Sequence, residues 1–254
     1  MNEEQEKRVI ELMRACGEIM LNADRSTIGI EAKEGHANFV TRYDKLVQDT
    51  IARGLKEIMP EAGFYGEESE KHEDVSKGYV FIVDPIDGTT NFIKDYKHSC
   101  ISIGLACDAE SIWGAVYNPY TEELFTARKG GGAFLNGKPI HVSNCRLEDA
   151  LVLFGTAPYY DDVREISMEK AKEYLVKAVD LRRSGSAALD LCSVAAGRAD
   201  LFFEYILQPW DFAAGMLIVE EAGGKVTTPD GKPVSVLSYS AVMAQGKGIA
   251  LEKL

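Results

Sequence analysis

At 254 residues the chain is too long for one small core and fits one large or two modest domains. Its 46% hydrophobic and 27% charged content is that of an ordinary globular protein, and its formal net charge of −12 argues against a basic nucleic-acid-binding surface. No segment approaches the roughly 20 apolar residues that span a bilayer, and Met1–Arg8 carries no apolar signal-like stretch. The expectation is a cytoplasmic protein that engages neither membrane nor nucleic acid.

Residues 3–23 are predicted to form an amphipathic helix, because Val9, Leu12, Met13, Cys16, Ile19 and Met20 recur at helical spacing. Thr41-x-x-Asp44 has the form of a capping box before a second helix, with Leu46, Ile51, Leu55 and Ile58 on its inner stripe and Pro60 closing it. Strands are expected at Tyr79–Val83, Cys100–Ala106, Ile112–Tyr117 and Glu123–Thr126, which are rich in β-branched and aromatic residues. Gly130-Gly131-Gly132 and Asn136-Gly137 bracket Ala133–Leu135, a hairpin corner. The polar stretch Ser143–Asp149 is the expected boundary between an N-terminal α+β subdomain over 1–145 and a C-terminal α/β subdomain over 146–254. Beyond it, strands are expected at Leu151–Phe154, Leu201–Tyr205, Lys225–Thr227 and Ala241–Ala244. Helices are expected at Val163–Val179, Ala187–Ala196 and Asp211–Ala222, the last closed by Gly223-Gly224.

Five scattered cysteines without a Cys-x-x-Cys pair, and four dispersed histidines, give no disulfide framework and no zinc site. Acidic residues are the informative class. Gly66-Glu67-Glu68-Ser69 follows the apolar Phe64-Tyr65. Asp84-Pro85-Ile86-Asp87-Gly88-Thr89-Thr90 follows the apolar run Tyr79–Val83, and Pro209-Trp210-Asp211 opens an apolar helix. Taken alone, each has a plain structural account: Asp211 as an N-cap worth about 1 kcal/mol, Asp87-Gly88 as a turn, Glu67-Glu68 as a solvated pair. Together they place carboxylates at the ends of apolar elements, where side chains converge on pocket mouths. Clustered carboxylates call for a compensating positive charge, and a hard divalent cation is the usual source. Pro85 fixes φ and helps the chain turn, so that Asp84, Asp87 and the Ile86 carbonyl can face one point. The N–H groups after Gly88, if they open a helix, form a cradle for an anion. Metal beside phosphate suggests phosphoryl chemistry.

These segments resemble the inositol monophosphatase family, within the lithium-sensitive, magnesium-dependent phosphatase superfamily that includes fructose-1,6-bisphosphatase. The resemblance rests on Gly66–Ser69, Asp84–Phe92 and Trp210–Gly215, with weaker matches at Phe39–Asp44, Ser184–Ala188 and Glu220–Gly224, and runs from about Lys33 to Gly224. It implies a layered α-β-α-β-α sandwich, a homodimer, and Mg²⁺ at two or three sites. Glu67, Asp84 and the Ile86 carbonyl would hold one ion; Asp84, Asp87 and Asp211 a second; Glu67 and water a weaker third. Gly88 and Thr89 would cradle the phosphate, Thr89 with Asp44 would activate the attacking water, and Asp87 would help protonate the leaving oxygen. Ser186, Ala187, Glu204 and Asp211 would face the alcohol, with Gln208 nearby; Glu204 is equally explained as an ordinary charge at a strand end.

The implied activity is hydrolysis of a small-molecule phosphate monoester, first of all inositol 1-phosphate. A 3′(2′),5′-bisphosphate nucleotidase or fructose-1,6-bisphosphatase would share the mechanism. A regulatory partner of the transcription machinery is an alternative of another class. The basic residues Lys94, Lys97, Arg182 and Arg183 could meet a second phosphate or only solvent, and Lys33 matches a family lysine near the metal loop.

Overall fold

The structure, a computed structural model, describes residues 1–33, 39–158 and 160–249. Helix α1 (Glu3–Leu21) starts from a capping box: the Gln5 N–H donates to Asn2 Oδ1, and the Asn2 N–H donates to Gln5 Oε1, each at 2.9 Å. A short antiparallel pair, β1 (Ile30–Ala32) and β2 (Phe39–Thr41), leads into α2 (Arg42–Ile58). The Thr41 and Asp44 capping box forms. The inner stripe of α2 is Tyr43, Val47, Ile51, Leu55 and Ile58, with Asp44 and Gln48 on the same buried face. Leu46, expected inside, is instead 45% exposed. Two buried polar residues share the inward face, so hydrophobicity alone shifts the apparent stripe.

A seven-stranded sheet follows. Its strands are β3 (Gly63–Gly66), β4 (Tyr79–Asp87), β5 (Cys100–Cys107), β6 (Glu110–Asn118), β7 (Glu123–Arg128), β8 (Gly132–Leu135) and β9 (Lys138–Pro139), with the one-turn helix α3 (Thr89–Ile93) between β4 and β5. They lie in sequence order; β3 and β4 are parallel and the other neighbours antiparallel. The second half supplies β10 (Leu151–Phe154), α4 (Asp161–Lys177), β11 (Asp180–Arg182), α5 (Ala187–Ala195), β12 (Leu201–Leu207), α6 (Pro209–Glu221), β13 (Lys225–Thr227) and β14 (Ser240–Gln245). Its strands form a five-stranded sheet of order β11-β10-β12-β14-β13, parallel across β11-β10-β12 and antiparallel beyond.

Three cores separate the layers. Helices α1 and α2 bury Val9, Met13 and Val47 with Phe81, Val83, Ile103 and Trp113 on one face of the large sheet. Helices α5 and α6 bury Leu191, Phe212 and Leu217 between the two sheets, with Ile82, Val116, Phe202 and Val242. Helix α4 covers the outer face of the small sheet through Ala171 and Tyr174. The α-β-α-β-α sandwich implied by the resemblance is the fold. Helix α6 begins at Pro209, two residues ahead of the expected start, so Asp211 sits inside the first turn and is no N-cap. Among the described residues no helix is long and apolar enough to cross a membrane.

Helix α6 lies unusually close to the large sheet. A Cβ placed on Gly114 of β6 would sit 2.9 Å from Ala214 Cα and 3.0 Å from its carbonyl oxygen, both backbone atoms that cannot swing aside. Gly114→Val should therefore destabilise the fold by about 2 kcal/mol and push α6 away from β6. Thermal unfolding checks this; an unchanged midpoint would show that the close approach is not needed.

Candidate active site

Asp84 and Asp87 are three residues apart on β4, and a regular strand would send them to opposite faces. The ladder resolves this. Asp84 pairs with Ser102 and Asp87 with Cys100, so three steps on β4 match two on β5. The extra residue is a bulge at Pro85-Ile86, which turns both carboxylates to the same side. The Ile86 N–H donates to Asp84 Oδ1 at 3.0 Å, fixing the first of them.

The second is held by α5. Ser186 donates its hydroxyl to Asp87 Oδ2 at 2.5 Å, and the Ala188 N–H donates to the same oxygen at 2.8 Å. The third belongs to α6, where the Gln208 N–H donates to Asp211 Oδ2 at 2.6 Å. Each carboxylate is gripped through one oxygen, which sets the orientation of the other. One carboxylate oxygen from each of Asp84, Asp87 and Asp211 lies within 4.8 Å of the other two.

Glu67 lines the same cleft but stands outside this close trio. Its Oε1 is 2.8 Å from Lys33 Nζ, which also reaches Glu68 Oε1 at 2.5 Å. The ammonium of Lys33 thus serves Glu67 and Glu68, and burial, which opposes its charge, is more than offset by the two carboxylates that raise its pKa. Asp44 is fully buried behind the cleft. Its Oδ2 accepts the Thr41 N–H at 2.7 Å and the Thr41 hydroxyl at 2.6 Å, which leaves Oδ1 3.3 Å from the Thr89 hydroxyl. That hydroxyl is also 3.2 Å from the Ile86 carbonyl, so its single proton can go to either acceptor.

Gly88 caps α3 in the left-handed region, with φ of 87°, and a Cβ there would sit 3.1 Å from the Gly185 and His98 carbonyls. Only glycine is at ease there. Gly88, Thr89 and Thr90 line the cleft at a helix start, where the first N–H groups have no intrahelical acceptor.

The cleft holds about 570 Å³. Ser186, Ala187, Glu204 and Gln208 also line it, as does Arg183. The neighbouring Arg182 is exposed and paired with Asp180 at 2.5 Å, and Lys97 pairs with Asp95 at 2.7 Å; neither is part of the lining, nor is Lys94. The Ala157 N–H donates to Glu204 Oε1 at 3.1 Å. Burial pushes the Glu204 carboxyl up to about 7, with Arg183 opposing.

Two further residues went unnoticed in the sequence. Gln48 accepts the Glu68 N–H at 2.8 Å and donates to Ser69 Oγ at 3.4 Å, so α2 steadies the loop that bears Glu67. Asp190, buried at the cleft, accepts the Ser184 hydroxyl at 2.6 Å. The available signal for both was a polar residue on an otherwise inward helical face.

The electrostatics of the trio are unfavourable as they stand. Burial first, then repulsion from Glu67 and the other aspartates, lifts Asp84 well above the usual carboxylate range. Burial, then Asp87 and Glu67, does the same to Asp211, and burial lifts Asp87 to about 6. All the converging donors are oxygens, a set that suits a hard divalent cation. Without metal, the folded chain binds protons at these groups more tightly than the unfolded chain does. This contribution to stability is therefore fullest below about pH 4 and is lost as pH rises through 6. For a carboxyl moved from 3.8 to about 6 the loss is roughly 3 kcal/mol. In a chelator, the unfolding midpoint should fall by several degrees between pH 5 and 7.5, and excess Mg²⁺ should remove most of that fall. Identical pH profiles with and without Mg²⁺ would contradict the assignment.

The sequence matches the Inositol monophosphatase family across residues 1–254. It is 42% identical over 229 residues to "Inositol monophosphatase 2" of Solanum lycopersicum, covering 87% of this chain and 86% of that one. It is 38% identical over 226 residues to "Nus factor SuhB" of Salmonella typhimurium, covering 84% and 81%. The solved structure of extragenic suppressor protein suhB from Bartonella henselae superposes with a TM-score of 0.89 at 34% identity, covering 95% of this chain and 93% of that one. The chain belongs to the inositol monophosphatase family, whose members are metal-dependent phosphatases that generally use Mg²⁺.

Proposed function

We propose that this chain hydrolyses the phosphate monoester of a polyol, with inositol 1-phosphate as the leading substrate. The observation that carries it is the close trio of Asp84, Asp87 and Asp211 beside the left-handed Gly88 that opens α3. In this proposal Asp84, Asp87 and Asp211 hold one Mg²⁺, and Glu67, Asp84 and the Ile86 carbonyl hold another; a third would lean on Glu67. Bound there, Mg²⁺ would supply an acidified water and neutralise charge on the phosphoryl oxygens.

The chain's own groups do the rest. The N–H groups at Gly88 and Thr89 meet the phosphoryl oxygens and are oriented before substrate arrives. The Thr89 hydroxyl accepts a proton from the attacking water and passes its own to Asp44 Oδ1, 3.3 Å away. Burial lifts the Asp44 carboxyl to about 6, which suits it to take that proton near neutral pH. Asp87 directs a water toward the leaving oxygen. Glu204, with Ser186, Ala187 and Gln208, faces the alcohol, and its carboxyl suits vicinal hydroxyls. A cytoplasmic homodimer belongs to the same proposal; exposed Ile166, Leu175 and Val176 on α4 offer apolar surface for a second copy.

A second function in transcription has one observation behind it, the similarity to Nus factor SuhB. Asp87→Asn separates the two. For the hydrolase, kcat on inositol 1-phosphate should fall at least about 100-fold, while the unfolding midpoint in chelator holds or rises because one repelling charge is gone. Phosphate release should be compared across inositol 1-phosphate, fructose 1,6-bisphosphate and 3′-phosphoadenosine 5′-phosphate, with and without Mg²⁺. No phosphate release from any of the three with Mg²⁺ present would refute the hydrolase assignment. Turnover that survives Asp87→Asn or chelation would refute the metal-assisted mechanism, and a large preference for a bisphosphate would replace the substrate.

A further inference from the structure

Glu67 and Asp211 come from opposite halves of the chain, one after β3 and the other in the first turn of α6. A cluster of three rings joins the segments that carry them. His72, in the loop between β3 and β4, stacks on Tyr65 with ring centres 4.1 Å apart and an interplanar angle of 28°. It tilts against Trp210 at 5.4 Å, and Trp210 in turn meets Tyr65 at 5.7 Å. His72 Nε2 lies 3.0 Å from the Gly66 carbonyl, to which a proton on that nitrogen donates. The cluster therefore grips Tyr65 and Gly66, the two residues before Glu67, and Trp210, the residue before Asp211.

We infer that His72 is a positioning residue: its ring clamps the Glu67 loop to the start of α6 and so sets the spacing on which divalent-cation binding depends. The inference rests on the metal site proposed above. Gln48 anchors the loop from the other side through the Glu68 N–H. Glu67 thus hangs between a fixed amide on α2 and a ring stack on α6. Its carboxylate already spends one contact on Lys33, so a small displacement of the loop toward Lys33 removes it from a cation. Tyr65 and Trp210 are half-buried and are shared with the core between the sheets, whereas His72 is exposed and packs on them from outside. Removing the imidazole therefore loosens the loop without opening that core, and the effect should appear in metal affinity before it appears in stability.

Three variants of the full chain test this, with Mg²⁺ itself as the probe. Calorimetry reads its affinity, thermal unfolding in chelator reads the fold, and kcat at saturating Mg²⁺ reads the assembled site. Trp210 provides an optical check, since the other tryptophan, Trp113, is only 1% exposed in the core. His72→Ala should weaken Mg²⁺ binding about tenfold, leave the midpoint in chelator within about 2 °C and preserve kcat at saturation. His72→Phe, which keeps a ring on Tyr65 and loses the bond to Gly66, should bind Mg²⁺ nearly as tightly as the parent. His72→Gln, which keeps a donor and loses the ring, should resemble the alanine variant, and this pair carries the comparison if His72→Ala fails to fold. Alanine and parent binding Mg²⁺ equally, or phenylalanine binding as weakly as alanine, overturns the clamp. An Asp84→Asn protein that binds Mg²⁺ like the parent overturns the underlying metal site instead.

Discussion

Mutual repulsion among carboxylates, two of them buried and the third half-buried, is the constraint around which this structure is arranged. Three aspartate oxygens meet within 4.8 Å in a cleft where burial already penalises each charge. At such separations like charges cannot all stay ionised in a low-dielectric site without a compensating cation. Lys33, the one lysine among the described residues that line the cleft, is bound to Glu67 and Glu68 and does not serve the trio. The fold nevertheless holds the three in place, through the Ile86 N–H, the Ser186 hydroxyl with the Ala188 N–H, and the Gln208 N–H. Holding the carboxylates together costs stability when no cation is bound, which these bonds offset only in part, and it removes the cost of reorganisation when a cation and phosphate arrive.

The layering explains how this is possible. Asp84 and Asp87 end a strand of the large sheet, whereas Ser186 and Asp211 begin the two helices packed between the sheets. Gly114 lets α6 approach β6 at backbone distance, so the position of Asp211 relative to Asp84 is set by main-chain contact rather than by flexible side chains. The same close packing puts Trp210 against Tyr65 and His72, and thereby ties the Glu67 loop to the same reference frame. Packing and site geometry are coupled here: whatever moves α6 moves Asp211 relative to Asp84 and Asp87.

Much of this was legible in the sequence, for identifiable reasons. Val80–Val83 is a continuous apolar run because β4 is covered on both faces, and it announced the strand that presents the aspartates. The Thr41-x-x-Asp44 box fixed the start of α2, since capping is local chemistry. Other features depend on tertiary context. Alternation along β4 sends Asp84 and Asp87 apart, and only pairing with β5 exposes the bulge that reunites them. Leu46 looked internal because Asp44 and Gln48, polar and buried, occupy the face that apolar counting assigns elsewhere. The attachment of Lys33 to Glu67 and Glu68 and the stack on His72 join residues that share no periodicity.

The claim that these aspartates form a cation site is tested most directly by anomalous diffraction from a crystal soaked in Mn²⁺, an electron-rich substitute for Mg²⁺. The account predicts one peak among Asp84, Asp87 and Asp211 and a second beside Glu67 and the Ile86 carbonyl, with Lys33 displaced from Glu67. A cleft without an anomalous peak at millimolar Mn²⁺, its carboxylates still in place, would contradict it.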